Sequence, residues 1–315
     1  MPDYPMALEA THIIAYQQNV QMLAQQMQIP ILEAVTRIEG SGLAMSVADY
    51  FEPSEYAEQE ARTRRNAEMQ IDAKRRFVFH RKDIINSGYI DKEDKLRAAQ
   101  DPTSPLMTNR LAAVRRGIHD RIVGIKKKGA RFIVDPAEGR GILGKATEGA
   151  ETPISTVTLP GSQTIVHGSA GLTLDKLIEA QERLNLADFG MEDDDPLYAL
   201  ISPKQITDLI NLAAETEGAL NPFMQQQLIT GKPTSLMGIT WIRSNRVPHT
   251  SATGDPVRMV PVWSKKNIPA AFWEDIQGTM WNDTHADNKP FQKVWANLDA
   301  TRHQDGGVIV IECSE

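Results

Sequence analysis

The chain has 315 residues, of which 41% are hydrophobic and 24% charged, enough for two domains or for one domain with insertions. A single cysteine, Cys313, excludes an internal disulfide and a cysteine zinc cluster and points to synthesis in a reducing compartment, while the sequence has neither a secretory start nor an apolar run long enough to span a membrane. The net charge of −7 argues against a protein whose own task is to grip nucleic acid by its phosphates.

Residues 6–28 read as a helix, with Ile13, Tyr16, Val20, Leu23 and Met27 at helical spacing. Its other face is mostly glutamine: Gln17, Gln18, Gln21, Gln25, Gln26 and Gln28. A free surface helix usually carries charge pairs, so two placements stand side by side: on another subunit, or docked on its own domain. From Glu52 to Arg97 the character changes, with ten acidic and eleven basic residues in 46 positions. This run ends in a β-like segment, Arg76 to His80, where Phe77 and Phe79 point to one side. A stretch with both signs and almost no core residues cannot fold alone, whereas an extended hairpin that pairs its charges with neighbours can use it. Arms of about 15 residues would reach about 50 Å.

The segment Ser104 to Lys128 is expected to be a long spine helix. Met107, Leu111, Val114, Ile118, Ile122 and Ile125 form one apolar stripe, Ser104 and Pro105 suit its start, Lys126, Lys127 and Lys128 its negative end, and Gly129 its stop. Gly117 and Gly124, with Ala113 before them, leave a second face bare enough for close approach of a neighbouring element. Short strands are expected at Arg131–Val134, Ile154–Leu159 and Thr164–His167. From Leu172 the pattern becomes α/β: a helix carrying Leu174, Leu177, Ile178 and Leu184 inward, a strand Leu197–Ile201, a helix opened by Ser202-Pro203, and strands at Leu236–Ile242 and Val257–Trp263. The final section has β-like runs at Ala271–Trp281, Phe291–Leu298 and Val308–Cys313, and is expected to return onto the spine.

Candidate chemistry is sparse. Gly139 to Ala146 approaches a phosphate-binding loop, but Ala146 stands where that loop needs Ser or Thr, and no helix follows. His167-Gly-Ser169-Ala-Gly171 lacks the glycine of a nucleophile elbow two residues before the serine. Asp283, His285 and Asp287 read as a solvated turn rather than metal ligands, and neither His249 nor His303 shows a partner in sequence. No catalytic residue, cofactor site or metal site is assigned. The residues describe a protein that makes surfaces.

Several stretches carry a family resemblance: AYQQNVQMLAQQMQ near the start, IDKEDKLRAAQDPTSPLMTNRLAAVRRGIHDRIV into the spine, LTLDKLIEAQERLN with LYALISPKQITDLI, GKPTSLMGITWIRSNRVP, and DATRHQDGGVIVIEC at the end. In that order the chain resembles the major capsid proteins of tailed bacteriophages, with the Hong Kong 97-type fold. The resemblance implies an α+β fold with an N-terminal arm (1–45), an E-loop hairpin (46–88), a peripheral domain (89–171, with the spine helix at 104–128), an axial domain (172–268) and C-terminal strands of the peripheral domain (269–315). It implies self-assembly into pentamers and hexamers of an icosahedral shell around double-stranded DNA in the virion, after synthesis in the host cytoplasm. Scaffolding, portal and decoration proteins are the expected partners, with no membrane. Because the arm begins within the first few residues, the scaffold is expected to be a separate protein.

Within the hairpin, Glu58, Glu60, Arg64, Arg65, Glu68, Lys74, Arg75 and Arg76 are the candidate inter-subunit contacts. One branch of the family cross-links through a lysine–asparagine bond, for which Lys74 or Lys82 would be the lysine; no motif here identifies the asparagine or the assisting glutamate, so that chemistry is not carried over. Two other readings compete: an encapsulin-like shell around enzyme cargo, and a soluble α/β enzyme with an unrecognised site.

Overall fold

The computed structural model describes residues 30–51, 73–90, 103–149, 152–192, 194–215, 235–254, 256–286 and 288–315. The expected helix over 6–28, the hairpin residues 52–72 and the lead 91–102 lie outside the described residues. In chain order the strands are β1 (Thr36–Glu39), β2 (Ala44–Phe51), β3 (Ala73–Phe79), β4 (Ile84–Tyr89), β5 (Ile125–Lys128), β6 (Arg131–Val134), β7 (Ala146–Gly149), β8 (Ser155–Val157), β9 (Thr164–Ile165), β10 (Leu197–Ile201), β11 (Ser235–Leu236), β12 (Ile239–Arg243), β13 (Val257–Ser264), β14 (Pro269–Asp283), β15 (Lys289–Ala300) and β16 (Val308–Ser314). The helices are α1 (Thr103–Val123), α2 (Leu174–Leu186) and α3 (Pro203–Glu215).

Helix α1 is the expected spine, and Val114, Ile118 and Ile122 of its stripe are buried. It stops at Val123, five residues short of Lys128. Gly124, at φ +85°, provides the left-handed stop that was expected at Gly129, and Ile125 to Lys128 turn into β5, paired with β6. The cause is a cap supplied from a distance: the N–H groups of Ile142 and Leu143 donate to the last helical carbonyls, Ile122 and Val123, at 2.9 and 3.1 Å. The apolar spacing runs on through Ile125 because that residue is buried from a strand instead of a helix. On the second face, a Cβ at Gly117 would sit 2.5 Å from Cγ2 of Ile84, so β4 does approach closely there.

The glycine run 139–144 is what provides the cap. Gly141, at φ +72°, donates its N–H to Ala300 O at 2.8 Å, and Ala146 opens a strand, not a helix. Its glycines serve backbone-to-backbone contact, with no phosphate cradle.

One face of α1 lies on a four-stranded sheet of order β1-β14-β15-β4. Gln292, Val294 and Ala296 of β15 are buried toward the helix, Arg110 Nε donating to Gln292 Oε1 at 3.3 Å and Arg110 Nη1 to Asn86 Oδ1 at 3.1 Å. Since successive strand residues alternate faces, Ile85, Tyr89, Trp281, Phe291 and Trp295 point away from the helix. A second sheet, of order β11-β12-β10-β13-β16-β9, carries the mixed α/β region. The expectation that residues 269–315 return to the spine holds for β14 and β15; β16 instead pairs β13 and β9, so the α/β sheet draws strands from outside 172–268. VIVIEC is apolar on both faces because it lies inside this sheet, with Val308 to Ile311 fully buried.

Helix α2 is capped by Thr173, whose hydroxyl accepts from the Lys176 N–H. Leu177, Ala180 and Leu184 face the core, and Ile178 is 45% exposed, a correction to the expected inward set. The stripe is centred on 177, 180 and 184, and Lys176 takes the flank toward the core: its ammonium donates to the carbonyls of His167, Ala170, Gly171 and Glu312 at 2.8 to 3.1 Å. Accordingly, Leu177→Ala should cost about 2–5 kcal/mol and Ile178→Ala close to nothing in chemical denaturation. Equal losses would contradict this facing.

Candidate assembly surfaces

The charged hairpin exists at its root. Strands β2 and β3 pair antiparallel from Ala44↔Phe79 to Phe51↔Ala73, and β3 continues across to β7 and β7 to β8. The returning arm ends at Phe79; β4, expected within 46–88, belongs to the sheet on the spine helix.

Of the candidate contacts, Glu58, Glu60, Arg64, Arg65 and Glu68 lie outside the described residues. Lys74 stands in register with Tyr50 on β3, and Arg75 with Asp49 and Gly149. Arg76 is only 3% exposed, with Nη2 at 3.3 Å from both Glu148 and Asp305. It therefore grips its own chain. Asp305 also accepts from Nε of Arg302, a fully buried guanidinium that donates further to the carbonyls of Gly144 and Val157. Beside it, the buried carboxylate of Asp299 accepts the Phe79 N–H at 3.0 Å and lies 3.8 Å from both Arg81 and Arg140. Burial pushes that carboxyl above the usual range, and the two arginines oppose the push. Arg140 also covers the Phe79 ring at 4.2 Å. The hairpin thus leaves the body through a root made of buried charges, which sequence could not show, because a charge run looks the same whether solvated or anchored.

A second charged joint links the spine to the α/β sheet. Asp120 takes Arg246 in two bonds, 2.8 and 2.6 Å, and Arg246 stacks over Phe132 at 4.5 Å. Its neighbour His119 is fully buried; burial holds the imidazole below its ordinary 6.5, against the pull of Asp120. His303 and His249 are lowered in the same way. A histidine kept neutral when folded binds fewer protons than the unfolded chain below pH 6.5. Stability should therefore be flat above about pH 6.5 and fall by at most about 1.4 kcal/mol per pH unit per histidine below it. His119→Asn should flatten part of that slope in melting curves taken between pH 7.5 and 5.5.

Of the other sequence candidates, Asp287 lies outside the described residues, and His249 bridges Ile133 and Arg258. Asp283 accepts the Tyr89 hydroxyl at 2.7 Å and the His285 N–H at 2.9 Å, and Ser169 donates its N–H to His167 Nδ1 at 3.0 Å. No group of acidic, histidine or cysteine residues suited to a metal is found among the described residues.

The described fold is thus a spine helix backed by a sheet, a second sheet closed by β16, and a hairpin anchored at its root. The fold is shared with solved capsid structures. These include the capsid of cyanophage P-SCSP1u (TM-score 0.67, 14% identity, covering 99% of this chain and 95% of that one). A chain of Gordonia phage Cozz is similar (TM-score 0.64, 14% identity, 98% and 94%), as is the capsid of a native GTA particle (TM-score 0.58, 13% identity, 100% and 100%). No curated protein matches. The chain belongs to the phage capsid protein family, whose model matches residues 8–315, and its role is that of a structural protein of the capsid.

Proposed function

We propose that the chain is the major subunit of a tailed-phage head, closing as pentamers and hexamers into an icosahedral shell around double-stranded DNA. In the terms of the Hong Kong 97-type fold, α1 with the β1-β14-β15-β4 sheet forms the peripheral domain. The six-stranded sheet with α2 and α3 forms the axial domain, β2–β3 the base of the E-loop, and the residues before β1 the arm. Scaffolding, portal and decoration proteins are the expected partners. The observation that carries the reading is the hairpin root: a buried charge network anchors β3, and the sequence between β2 and β3, residues 52–72, is rich in charge of both signs.

One exposed ion pair contributes about 0–1 kcal/mol, so such an arm does nothing for a single pair of subunits. Repeated around a ring and between rings, the contacts add through multivalency, and head-to-tail contacts close rings.

Negative-stain microscopy of the purified protein tests this, with closed particles or capsomer rings expected. The variant Arg64→Glu/Arg65→Glu should abolish particles while leaving the melting temperature unchanged. Normal particle yield would remove the hairpin from the assembly contacts. Arg76 is kept out of that variant, because its charge is buried in its own subunit.

A further inference from the structure

Lys126, Lys127 and Lys128 lose the helix-end role that their sequence suggests, because α1 has already stopped at Val123. They form the first arm of a two-stranded ribbon instead. Lys126 pairs across with Ile133, Lys127 with Phe132 and Lys128 with Arg131, so Gly129 and Ala130 alone make the turn. Residues 126–130 are all exposed, and a Cβ at Gly129 would meet nothing within 4 Å. Lys128 and Arg131 stand directly opposite each other at the tip, a like-charge pairing that destabilises a ribbon with nothing bound to it.

The carboxylates around the ribbon are already taken: Asp135 by Lys126 at 2.7 Å, Asp120 by Arg246, and Glu315 by Arg258. The side chains of Lys127 and Lys128 have no ion pair or hydrogen bond among the described residues. Arg131 donates Nη1 to the Gly254 carbonyl at 3.1 Å, which fastens the ribbon to the loop 250–254. Between that loop and Lys128 lies a cavity of about 550 Å³. Lys128 is the one charged side chain in its lining, and Thr250, Ser251 and Thr253 add hydroxyls. Ser251 Oγ accepts the Thr253 N–H at 3.4 Å, a bond that does not use its own proton. Asp255, the next carboxylate in sequence, lies outside the described residues.

Lysine and arginine cations beside serine and threonine hydroxyls are the groups that hold a nucleic-acid phosphate backbone without reading its sequence. We propose that Lys127, Lys128 and Arg131, with the hydroxyls of loop 250–254, touch the phosphates of duplex DNA inside the shell. The inference rests on the shell reading above, and it turns the side of the subunit that bears the ribbon toward the interior. A docked protein would want an apolar anchor at the centre of its contact, and the tip from Lys127 to Arg131 offers only Ala130. The net charge of −7 keeps the hold of one copy weak. Repeated over the wall, such contacts restrain DNA together while each lets go readily.

Lysine acetylation by a small reagent, read by mass spectrometry, tests this on the full chain. In DNA-filled particles, Lys127 and Lys128 should react several-fold more slowly than in particles emptied of DNA. Lys204 and Lys266, each held by a carboxylate of its own chain, should react alike in both. With dispersed subunits, a short duplex of mixed sequence should slow the same two lysines. The binding constant drawn from that slowing should fall with salt at a log–log slope of about −2.7, three phosphates at about −0.9 each, and Arg131→Gln should reduce the slope to about −1.8. Equal rates in filled and emptied particles would overturn the proposal and leave the shell reading intact. So would poly-glutamate that protects the two lysines in subunits as well as the duplex does at equal charge, since the partner would then be an acidic protein. Failure of the wild-type chain to form DNA-filled particles would instead defeat the shell reading. In either case, no slowing of Lys127 and Lys128 by the duplex overturns the proposal.

Discussion

Gly141→Ala should yield almost no folded subunit. A methyl group there would stand 1.9 Å from the Ile122 carbonyl oxygen and 3.0 Å from that of Arg121, both backbone atoms of the helix end, at a φ of +72°. Neither strain can be relieved locally. The loop would have to lift, and the carbonyls of Ile122 and Val123 would lose the N–H groups of Ile142 and Leu143. Backbone strain of about 1–3 kcal/mol and the loss of two buried hydrogen bonds, each about 1 kcal/mol or more, consume a large part of a typical stability of about 5–15 kcal/mol. Soluble yield and circular dichroism would report it. Gly161→Ala, whose added methyl meets nothing within 4 Å, is the control and should be neutral. A Gly141→Ala protein as stable as this control would show that the loop is not a fixed cap.

Asp305→Ala should be the most damaging single charge removal. It strips the shared carboxylate from Arg302, fully buried, and Arg76, 3% exposed, leaving two guanidinium groups without their common counter-ion. A cost of about 3–5 kcal/mol follows from breaking a buried pair on one side only. In a differential scanning experiment that is a fall in Tm of about 5–8 °C for a chain of this size. Glu148→Gln touches only the more exposed partner of Arg76 and should cost about 1 kcal/mol or less. If the two variants melted alike, the root network would be a surface feature and not the anchor of the hairpin.

The long regular elements were legible because their signals are local. The stripe of α1, the β-like runs Ala271–Trp281 and Phe291–Leu298, and the apolar run of β16 follow from local residue pattern, and the structure contains a helix or strand at each of them. Helix α1 was read too long because a strand that buries Ile125 continues the helical spacing by coincidence, and only the cap from Ile142 and Leu143 tells the two apart. Strand β1, four residues with no pattern of its own, could not be seen before its partner β14 was in place. The assembly surfaces divide in the same way. That a charged hairpin exists was readable, but not that Arg76 is its anchor, since burial of an arginine depends on Glu148, Asp305 and their approach across the fold. The ring cluster on the sheet face turned away from α1 was invisible for the opposite reason: Tyr89, Trp281 and Phe291 come from three strands and meet only through register.

The position of β16 sets a clock on the molecule. Its residues, 308–314, are the last of the described strands to leave the ribosome, yet they fill the slot between β13 and β9, and β1 likewise waits for β14. A nascent polypeptide therefore cannot complete the six-stranded sheet before residues 308–314 have emerged, nor the four-stranded sheet before residues 289–300 have.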